Sequence, residues 1–218
     1  RGLRTNILLS NTKEIKSILV SSAGPGEGKT TTVANLAITF ANLGKNTLLV
    51  DTDLRRPVIH SVFNLKREPG VTNYLSGQTD DYHSLVKKSE IDNLSILTSG
   101  LIPPNPSEML GSIKMSSFIK KLESDWDIIL FDSPPLVAVT DATMISKEID
   151  SILLVIKAGQ TDKKAFHHTI SNLNNIDAPL DGIVMNAVTS KSNYGSYYYY
   201  YYHQYYHYYS SHDNEMQS

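Results

Sequence analysis

A glycine-rich segment at residues 23–30 (AGPGEGKT) follows a short apolar run and opens a helix-length segment. A triphosphate carries about four negative charges, and such a segment meets them with backbone N–H groups, a helix N-terminus and the Lys29 ammonium. The Thr30 hydroxyl can place a Mg²⁺ between two phosphates. Ala23 stands where the usual motif begins with glycine, which is a small departure. The segment predicts a nucleotide site, whose further members are Gly24, Pro25, Gly26, Glu27, Gly28 and Thr31.

Three carboxylates follow two apolar runs that read as buried strands. Asp51 and Asp53 come after residues 47–50 (TLLV), and Asp132 comes after residues 128–131 (IILF). Ligands bind at the carboxyl ends of parallel strands, where a carboxylate can hold Mg²⁺ directly or through water. A second carboxylate can accept the proton of an attacking hydroxyl, which is needed when the nucleophile is a phenol with a pKa of about 10. Helix capping and turn formation are the structural alternatives for these residues.

Three more polar residues have two interpretations each. Asn186 ends an apolar run, where its amide can read adenine or form a turn. Arg55 and Arg56 directly follow the Asp51 and Asp53 pair, where they can contact phosphate or a neighbouring subunit, or lie solvated at the surface.

Short β-branched runs alternate with helix-length segments between residues 16 and 185, which is typical of βαβ units around a parallel sheet. The runs lack polar alternation, so we expect both faces of every strand to be covered. The fold class is therefore α/β, with helices on both faces of a mainly parallel sheet. Strands are predicted at 17–21, 47–50, 94–98, 128–131, 151–156 and 182–185. Helices are predicted at 28–43, 106–123 with a break near Gly111, 138–147 and 162–173, with short ones near 58–62 and 72–75. Asn105 and Pro106 resemble a capped helix start.

The composition narrows the class of protein. The chain has 218 residues and 40% hydrophobic content, which suffices for one core and excludes disorder of the whole chain. Lys and Arg number 20 against 22 Asp and Glu, so a net charge of −2 gives no global attraction to nucleic acid. The absence of cysteine excludes disulfides and thiolate metal sites. The chain begins at Arg1 without a signal peptide or an apolar run of membrane-spanning length, so we expect a soluble excised piece.

Tyrosine is strongly concentrated near the end of the chain. Of 13 tyrosines, 11 lie between residues 194 and 209, in a stretch that contains no charged residue. We expect residues 1–189 to form the domain and residues 190–218 to form a flexible tail, because the tail lacks the aliphatic residues that build a core. Its phenols are candidate phosphate acceptors: Tyr197, Tyr198, Tyr199, Tyr200, Tyr201, Tyr202, Tyr205, Tyr206, Tyr208 and Tyr209. The alternatives are a plain low-complexity end and an aromatic segment that stacks on sugars, bases or itself.

Four segments followed by a tyrosine-rich terminus resemble the cytoplasmic domain of a bacterial tyrosine kinase of the capsule and exopolysaccharide type. These segments are 21–30 (SSAGPGEGKT), 49–57 (LVDTDLRRP), 103–108 (PPNPSE) and 129–135 (ILFDSPP). The resemblance implies a P-loop NTPase fold and an enzyme that uses ATP and Mg²⁺ to phosphorylate its own tail, mainly between subunits.

The resemblance also implies roles for individual residues. Lys29 would hold the phosphates, and Thr30 would ligate Mg²⁺. Asp51 would activate the tyrosine hydroxyl, while Asp53 and Asp132 would organise the metal.

The family further implies ring-like homo-oligomers whose assembly is regulated by tail phosphorylation. Arg1 and Arg4 match the arginines of the family's Glu-x-x-Arg-x-x-Arg oligomerisation motif, whose glutamate would precede Arg1. The implied partners are a transmembrane activator, fused upstream or separate, a cognate tyrosine phosphatase and polysaccharide-synthesis proteins, with no nucleic acid. The implied location is the inner face of the bacterial cell membrane.

Three other functions fit the same motifs. One is an ATP-hydrolysing switch related to the partitioning and division-site ATPases, although Gly24 stands where those proteins place a second loop lysine. Another is a nucleotide-binding regulatory subunit whose tail is phosphorylated by a different kinase. The third is a non-enzymatic scaffold that uses the tail for adhesion.

Overall fold

The computed structural model describes residues 1–10, 14–136 and 141–189. Within them a seven-stranded sheet runs in the order β3-β4-β2-β5-β1-β6-β7. All neighbouring strands pair in parallel except β3, which pairs antiparallel with β4. The predicted α/β class is confirmed. The division into a domain and a tail stays a prediction, because the tail lies outside the described residues.

The strands are β1 (Ser17–Ser22), β2 (Thr47–Asp51), β3 (Lys87–Lys88), β4 (Leu94–Leu97), β5 (Ile128–Asp132), β6 (Ser151–Lys157) and β7 (Leu180–Asn186). The helices are α1 (Gly2–Ser10), α2 (Lys29–Ala41), α3 (Ile59–Val62), α4 (Val71–Leu75), α5 (Pro106–Leu110), α6 (Ile113–Asp125), α7 (Asp141–Ser146) and α8 (Lys163–Asn175), with a 3₁₀ turn at His83–Leu85. The predicted elements are confirmed to within two residues at each end, except that the start of the helix predicted at 138–147 lies outside the described residues.

Two apolar clusters cover the two faces of the sheet. Successive residues of a strand point to opposite faces, and accordingly Leu19 of β1 packs with α6 and α8, whereas Ile18 and Val20 pack with α2. β1, β2 and β5 are buried along their whole length. The central strands thus hold the loops at their carboxyl ends in fixed positions.

The expectation that both faces of every strand are covered is wrong for β7. Its residues alternate between half-buried and exposed, and the side chains of Ile183 and Met185 are about half exposed, at 49% and 50%. The physical reason is its position, because β7 lies at the edge of the sheet and only part of it is covered.

Helix boundaries follow local chemistry. The break at Gly111 is confirmed, and α6 begins at Ile113 after the N-cap residue Ser112, whose hydroxyl accepts a hydrogen bond from the backbone N–H of Met115 at 3.1 Å. Pro106 occupies the first turn of α5 as expected. The predicted cap by Asn105 is wrong, because its amide donates to the Glu108 carboxylate at 2.6 Å and does not accept from the backbone.

The sequence pattern predicts neither α1 nor β3, nor the 3₁₀ turn at His83–Leu85. α1 has neither an acidic first turn nor a basic last turn, and it is fixed by tertiary contacts: Ile7 is buried against the α2 side of the sheet, and the Arg4 guanidinium donates to the carbonyl of Thr39 at 2.7 Å. β3 is only two lysines long, which is too short for a pattern. None of the helices in the described ranges has the length and apolarity that a bilayer crossing requires.

The two tyrosines outside the tail are core residues. Tyr82 is fully buried, and the rings of Tyr74 and Phe118 lie 4.4 Å apart between centroids. The Tyr82 hydroxyl donates to the Asp125 carboxylate at 2.6 Å and accepts from the Trp126 indole at 3.3 Å. This network fixes the end of α6 to the loop before β3.

We expect Tyr82→Phe to lower the free energy of unfolding by about 1–2 kcal/mol, because the hydrogen bonds of the hydroxyl with Asp125 and with Trp126 are both lost. The hydrogen bond from Tyr82 lowers the pKa of Asp125. The stability difference should therefore be present near neutral pH and shrink as pH falls and Asp125 is protonated. Urea unfolding at two pH values measures it, with Tyr74→Phe as the matched control. An equal loss at both pH values would contradict the assigned hydrogen bond.

Candidate active site

The glycine-rich segment forms the turn between β1 and α2. Gly26 and Gly28 have φ angles of 73° and 93°, in the left-handed region that favours glycine. A Cβ at Gly28 would lie 2.1 Å from the side-chain nitrogen of Asn186, so this position has no room for a larger residue. The segment therefore connects a strand directly to the N-terminus of α2, where free backbone N–H groups are available. A phosphate-binding loop requires this strand–loop–helix arrangement.

Four of the predicted site residues meet in one network. The Lys29 ammonium lies 2.8 Å from the Asp53 carboxylate and 3.4 Å from the Asp132 carboxylate. The Thr30 hydroxyl donates to Asp132 at 2.7 Å. The sheet brings these residues together, because β2 and β5 are neighbours and β1 pairs with β5.

Asp51 lies beside this network without touching Lys29. Its two oxygens accept hydrogen bonds from the backbone N–H groups of Asp53 at 3.3 Å and Ile59 at 3.2 Å, and its side chain is fully buried. Asp51 also pairs in register with Asp132. The pKa of Asp51 is raised to about 8, mainly by burial and to a smaller extent by the negative charge of Asp132.

The same balance of burial and charge acts on the other two groups. Burial raises the pKa of Asp132 to about 6, although the nearby Lys29 charge opposes the rise. Burial alone would lower the pKa of Lys29, but the charges of Asp132 and Asp53 outweigh it, and the pKa is raised. Lys29 therefore remains a cation, and the carboxylates of Asp53 and Asp132 share contact with this one positive charge.

These residues can hold a phosphate-bound metal more readily than a free one. Within the described ranges no group of three or more His, Cys, Asp or Glu side chains is arranged to hold a metal ion. Mg²⁺ in phosphate sites takes only one or two protein ligands and completes its shell with phosphate oxygens and waters. The Thr30 hydroxyl and the Asp132 carboxylate at its side fit that donor set.

The sequence analysis missed the role of the Glu27 carboxylate and of Thr161. The Glu27 side chain is 6% exposed, accepts from the backbone N–H of Gly24 at 2.7 Å, and also accepts from the Thr161 hydroxyl in the turn after β6. The presence of a glutamate in the loop is the sequence feature that indicates such contacts. An anionic side chain inside a loop that binds phosphate needs hydrogen-bond donors of its own. Its assignment as a nucleotide-binding residue stays a prediction.

Asn186 lies against the loop at the end of β7. Its amide donates to the carbonyl of Glu27 at 3.0 Å, and its side-chain oxygen accepts from the backbone N–H of Ala187 at 2.8 Å. One amide hydrogen and one lone pair remain beyond these two bonds, so a contact with adenine stays a prediction.

Arg1 and Arg4 lie near the same edge. Together with Thr31 and Asn186 they line a cleft of about 250 Å³ between α1 and α2. Arg56 donates its backbone N–H to Asp53 at 3.0 Å, and the Arg55 guanidinium contacts Ser107 at 3.2 Å. The predicted tail acceptors lie outside the described residues.

Comparison with known proteins assigns the family. Residues 15–182 match the AAA domain family described as AAA_31. The tyrosine-protein kinase YwqD of Bacillus subtilis is 39% identical over 200 residues, covering 90% of this chain and 84% of the relative. The kinase domain of the Escherichia coli tyrosine kinase ETK superposes with a TM-score of 0.83 at 27% identity, covering 88% and 76% of the two chains. The chimerical protein CapA2B2 superposes with a TM-score of 0.81 at 34% identity, covering 84% and 81%.

The raised pKa of Asp51 predicts a stability that falls with pH. The folded carboxyl binds its proton more tightly than the unfolded one, so the stability is fully present below about pH 4 and is lost as pH rises to about 8. We expect the free energy of unfolding of Asp51→Asn, relative to the wild type, to increase by at least about 1 kcal/mol between pH 5 and pH 9. Urea unfolding at a series of pH values measures the difference.

Asp162→Asn is the matched control, because Asp162 is an exposed carboxylate that caps α8. A relative stability of Asp51→Asn that stays constant from pH 5 to pH 9 would contradict the assignment.

Proposed function

Because the chain belongs to the tyrosine-protein kinases with a P-loop AAA domain, we propose that it transfers the γ-phosphoryl group of ATP to tyrosines of its own C-terminal segment. The observation that carries this proposal is the network that joins Lys29 and Thr30 of the phosphate loop to Asp53 and Asp132 at the neighbouring strand ends. The proposed acceptors are the tyrosines at 197–202, 205, 206, 208 and 209.

The loop and the Lys29 ammonium bind the phosphates of ATP. Thr30 and Asp132, with Asp53 beside them, would hold Mg²⁺, which would neutralise charge on the phosphates. The Lys29 ammonium is in contact with Asp53 and can turn to a phosphate oxygen by rotation of its flexible side chain. These groups position the triphosphate and offset its charge, which is most of what a protein contributes to phosphoryl transfer.

Asp51 is the proposed proton acceptor. The phenolic oxygen of the acceptor tyrosine forms a bond to the γ-phosphorus, the bond from that phosphorus to the β–γ bridging oxygen breaks to release ADP, and the phenolic proton passes to Asp51. A carboxylate with a pKa of about 8 is closer to the phenol value of about 10 than an ordinary carboxylate near 4, so it is the better base. Because Asp51 is fully buried, the segment after β2 must move when the acceptor enters.

The tail suits the acceptor role by composition and reach. Residues 190–218 contain 29 residues, and at ~3.3 Å each a full extension spans roughly 100 Å, which reaches this site or that of a neighbouring copy. Each phosphate adds about −1.5 to −2 charges to a chain that starts at −2. Phosphorylation of several tyrosines therefore turns the tail into a strong anion.

We place this reaction in a cycle of assembly. The proposed oligomer uses Arg1 and Arg4, phosphorylation occurs mainly between subunits, and repulsion between charged tails favours dissociation. The proposed setting is the inner face of the bacterial membrane, with a transmembrane activator, a tyrosine phosphatase and polysaccharide-synthesis proteins as partners. The proposed output is control of capsular or exopolysaccharide synthesis and export. The support for this cycle is the family resemblance together with the tail.

The first test maps phosphate on the protein. Purified chain incubated with Mg-ATP should gain phosphate on tail tyrosines, and Lys29→Met should lose at least about 100-fold in rate, because removing a charge that stabilises the transferring phosphoryl group has an effect of this size. Mass spectrometry locates the phosphate, with a variant carrying Phe at every tail tyrosine as the control for the acceptor.

Each of the other outcomes excludes the proposal. Label that persists in Lys29→Met identifies a contaminating kinase. ATP consumption without phosphotyrosine identifies an ATP-hydrolysing switch, and an absence of nucleotide binding leaves a scaffold.

The second test is the pH dependence of the rate. Asp51 must be ionised to accept the proton, so the initial rate of tail phosphorylation should rise about tenfold per pH unit below pH 8 and level off above it. The residual rate of Asp51→Asn should lack this inflection. A wild-type rate that is flat between pH 6 and pH 8 would rule out Asp51 as the base.

A further inference from the structure

Thr161 lies outside the phosphate loop in sequence, yet it contacts the loop directly. It belongs to the turn between β6 and α8, 134 residues after Glu27, and its hydroxyl donates to the Glu27 carboxylate. The same oxygen accepts from the backbone N–H of Lys157 at 2.7 Å. A backbone N–H can only donate, so the single hydroxyl proton of Thr161 is directed at Glu27.

The Glu27 carboxylate is thereby held between two donors, the Thr161 hydroxyl and the backbone N–H of Gly24. Its position is unusual, because a negative side chain in a loop that binds polyphosphate repels the ligand if it faces the phosphates. Glu27 is only 6% exposed, and the two donors hold its carboxylate inside the loop. The carboxylate therefore links the loop at Gly24 to the turn that carries Thr161.

The end of β7 completes the arrangement. Asn186 donates to the carbonyl of Glu27 at 3.0 Å and fills the space beside Gly28. The carbonyl of Asn186 accepts from the backbone N–H of Ala158 at 2.9 Å, in the same turn that carries Thr161. The backbone and the side chain of Glu27 are therefore both fixed by the β6 and β7 edge of the sheet.

We propose that Thr161 is a positioning residue for nucleotide binding, which acts through Glu27 to hold the phosphate loop in its binding conformation. The proposal rests on the proposed function only in that the loop binds a nucleotide. Thr161 itself touches neither the phosphates nor the acceptor in this role. Loss of the Thr161 hydroxyl releases the Glu27 carboxylate from one of its donors, so that its charge can repel the phosphates. The same loss loosens the turn between β6 and α8, which contacts the loop.

The test compares Thr161→Val, which keeps the shape and removes the hydroxyl, with Thr161→Ser, which keeps the hydroxyl. Thr161→Val should weaken binding of Mg-ADP by roughly 10-fold, the scale of a hydrogen bond to a charged group, and Thr161→Ser should restore it to within about twofold. Isothermal titration calorimetry measures the affinity. In the phosphorylation assay the KM for ATP should rise about as much as the affinity falls, while kcat at saturating ATP stays within about twofold.

A double-mutant cycle shows whether the effect passes through Glu27. In a Glu27→Ala background, Thr161→Val should change the affinity for Mg-ADP by less than about twofold, because the partner of the hydroxyl is already absent. Effects of the two substitutions that simply multiply would overturn the proposal, as would an unchanged affinity in Thr161→Val.

Thr79→Val is the matched control, since the Thr79 hydroxyl also bonds the backbone of its own turn, and its described hydrogen bonds are with Asp81 and not with the loop. Thermal unfolding confirms that each variant folds. The Mg-ADP measurement is independent of tyrosine phosphorylation. A chain that binds Mg-ADP but adds no phosphate to its tail would therefore overturn the proposed function and leave the role of Thr161 decided by its own result.

Discussion

The site depends on three carboxylates buried around one ammonium. Asp51 and Asp132 are completely inaccessible and Asp53 is nearly so, yet the described contacts place only Lys29 among them as a cation. Ionised carboxylates are costly to bury unless they are paired or hydrogen-bonded. The structure meets this cost unevenly. Asp53 receives the closest contact with Lys29, Asp132 receives the Thr30 hydroxyl and a longer contact, and Asp51 receives backbone N–H groups alone.

This uneven distribution produces groups of different acidity from one residue type. Asp132, with more positive charge nearby, has a pKa raised to about 6, whereas Asp51 reaches about 8. Adjacent titratable groups whose environments separate their pKa values are typical of functional sites in which the groups take different acid–base roles. The fold creates the difference by register, because Asp51 and Asp132 end neighbouring strands while Asp53 lies two residues farther on, where Lys29 can reach it.

The sequence predicted the parts of this arrangement that depend on local pattern. Buried parallel strands are continuous apolar runs in the sequence, so the sequence pattern predicts β1, β2 and β5. The residues that follow parallel strands lie at the same edge of the sheet, so their proximity is predicted as well. The pairing of Lys29 with Asp53 could not be read from the pattern, because it depends on the path of the loop after β2. The same limit applies to α1, which is held by tertiary contacts of Ile7 and Arg4 and not by helix signals of its own.

The contacts of Glu27 show a further limit and its cause. A sequence motif identifies residues that contact a ligand. The residues that hold a loop in its conformation can come from any part of the chain that the fold places within hydrogen-bond distance of it. Thr161 and Asn186 qualify because β6 pairs with β1 and β7 pairs with β6, so their ends flank the turn that leaves β1. The phosphate loop is consequently supported from the side opposite to Asp53 and Asp132. On the side of Asp53 and Asp132 lie the titratable groups that surround Lys29, whereas the β6 and β7 side supplies Thr161 and Asn186, which fix the side chain and the backbone of Glu27 in the loop.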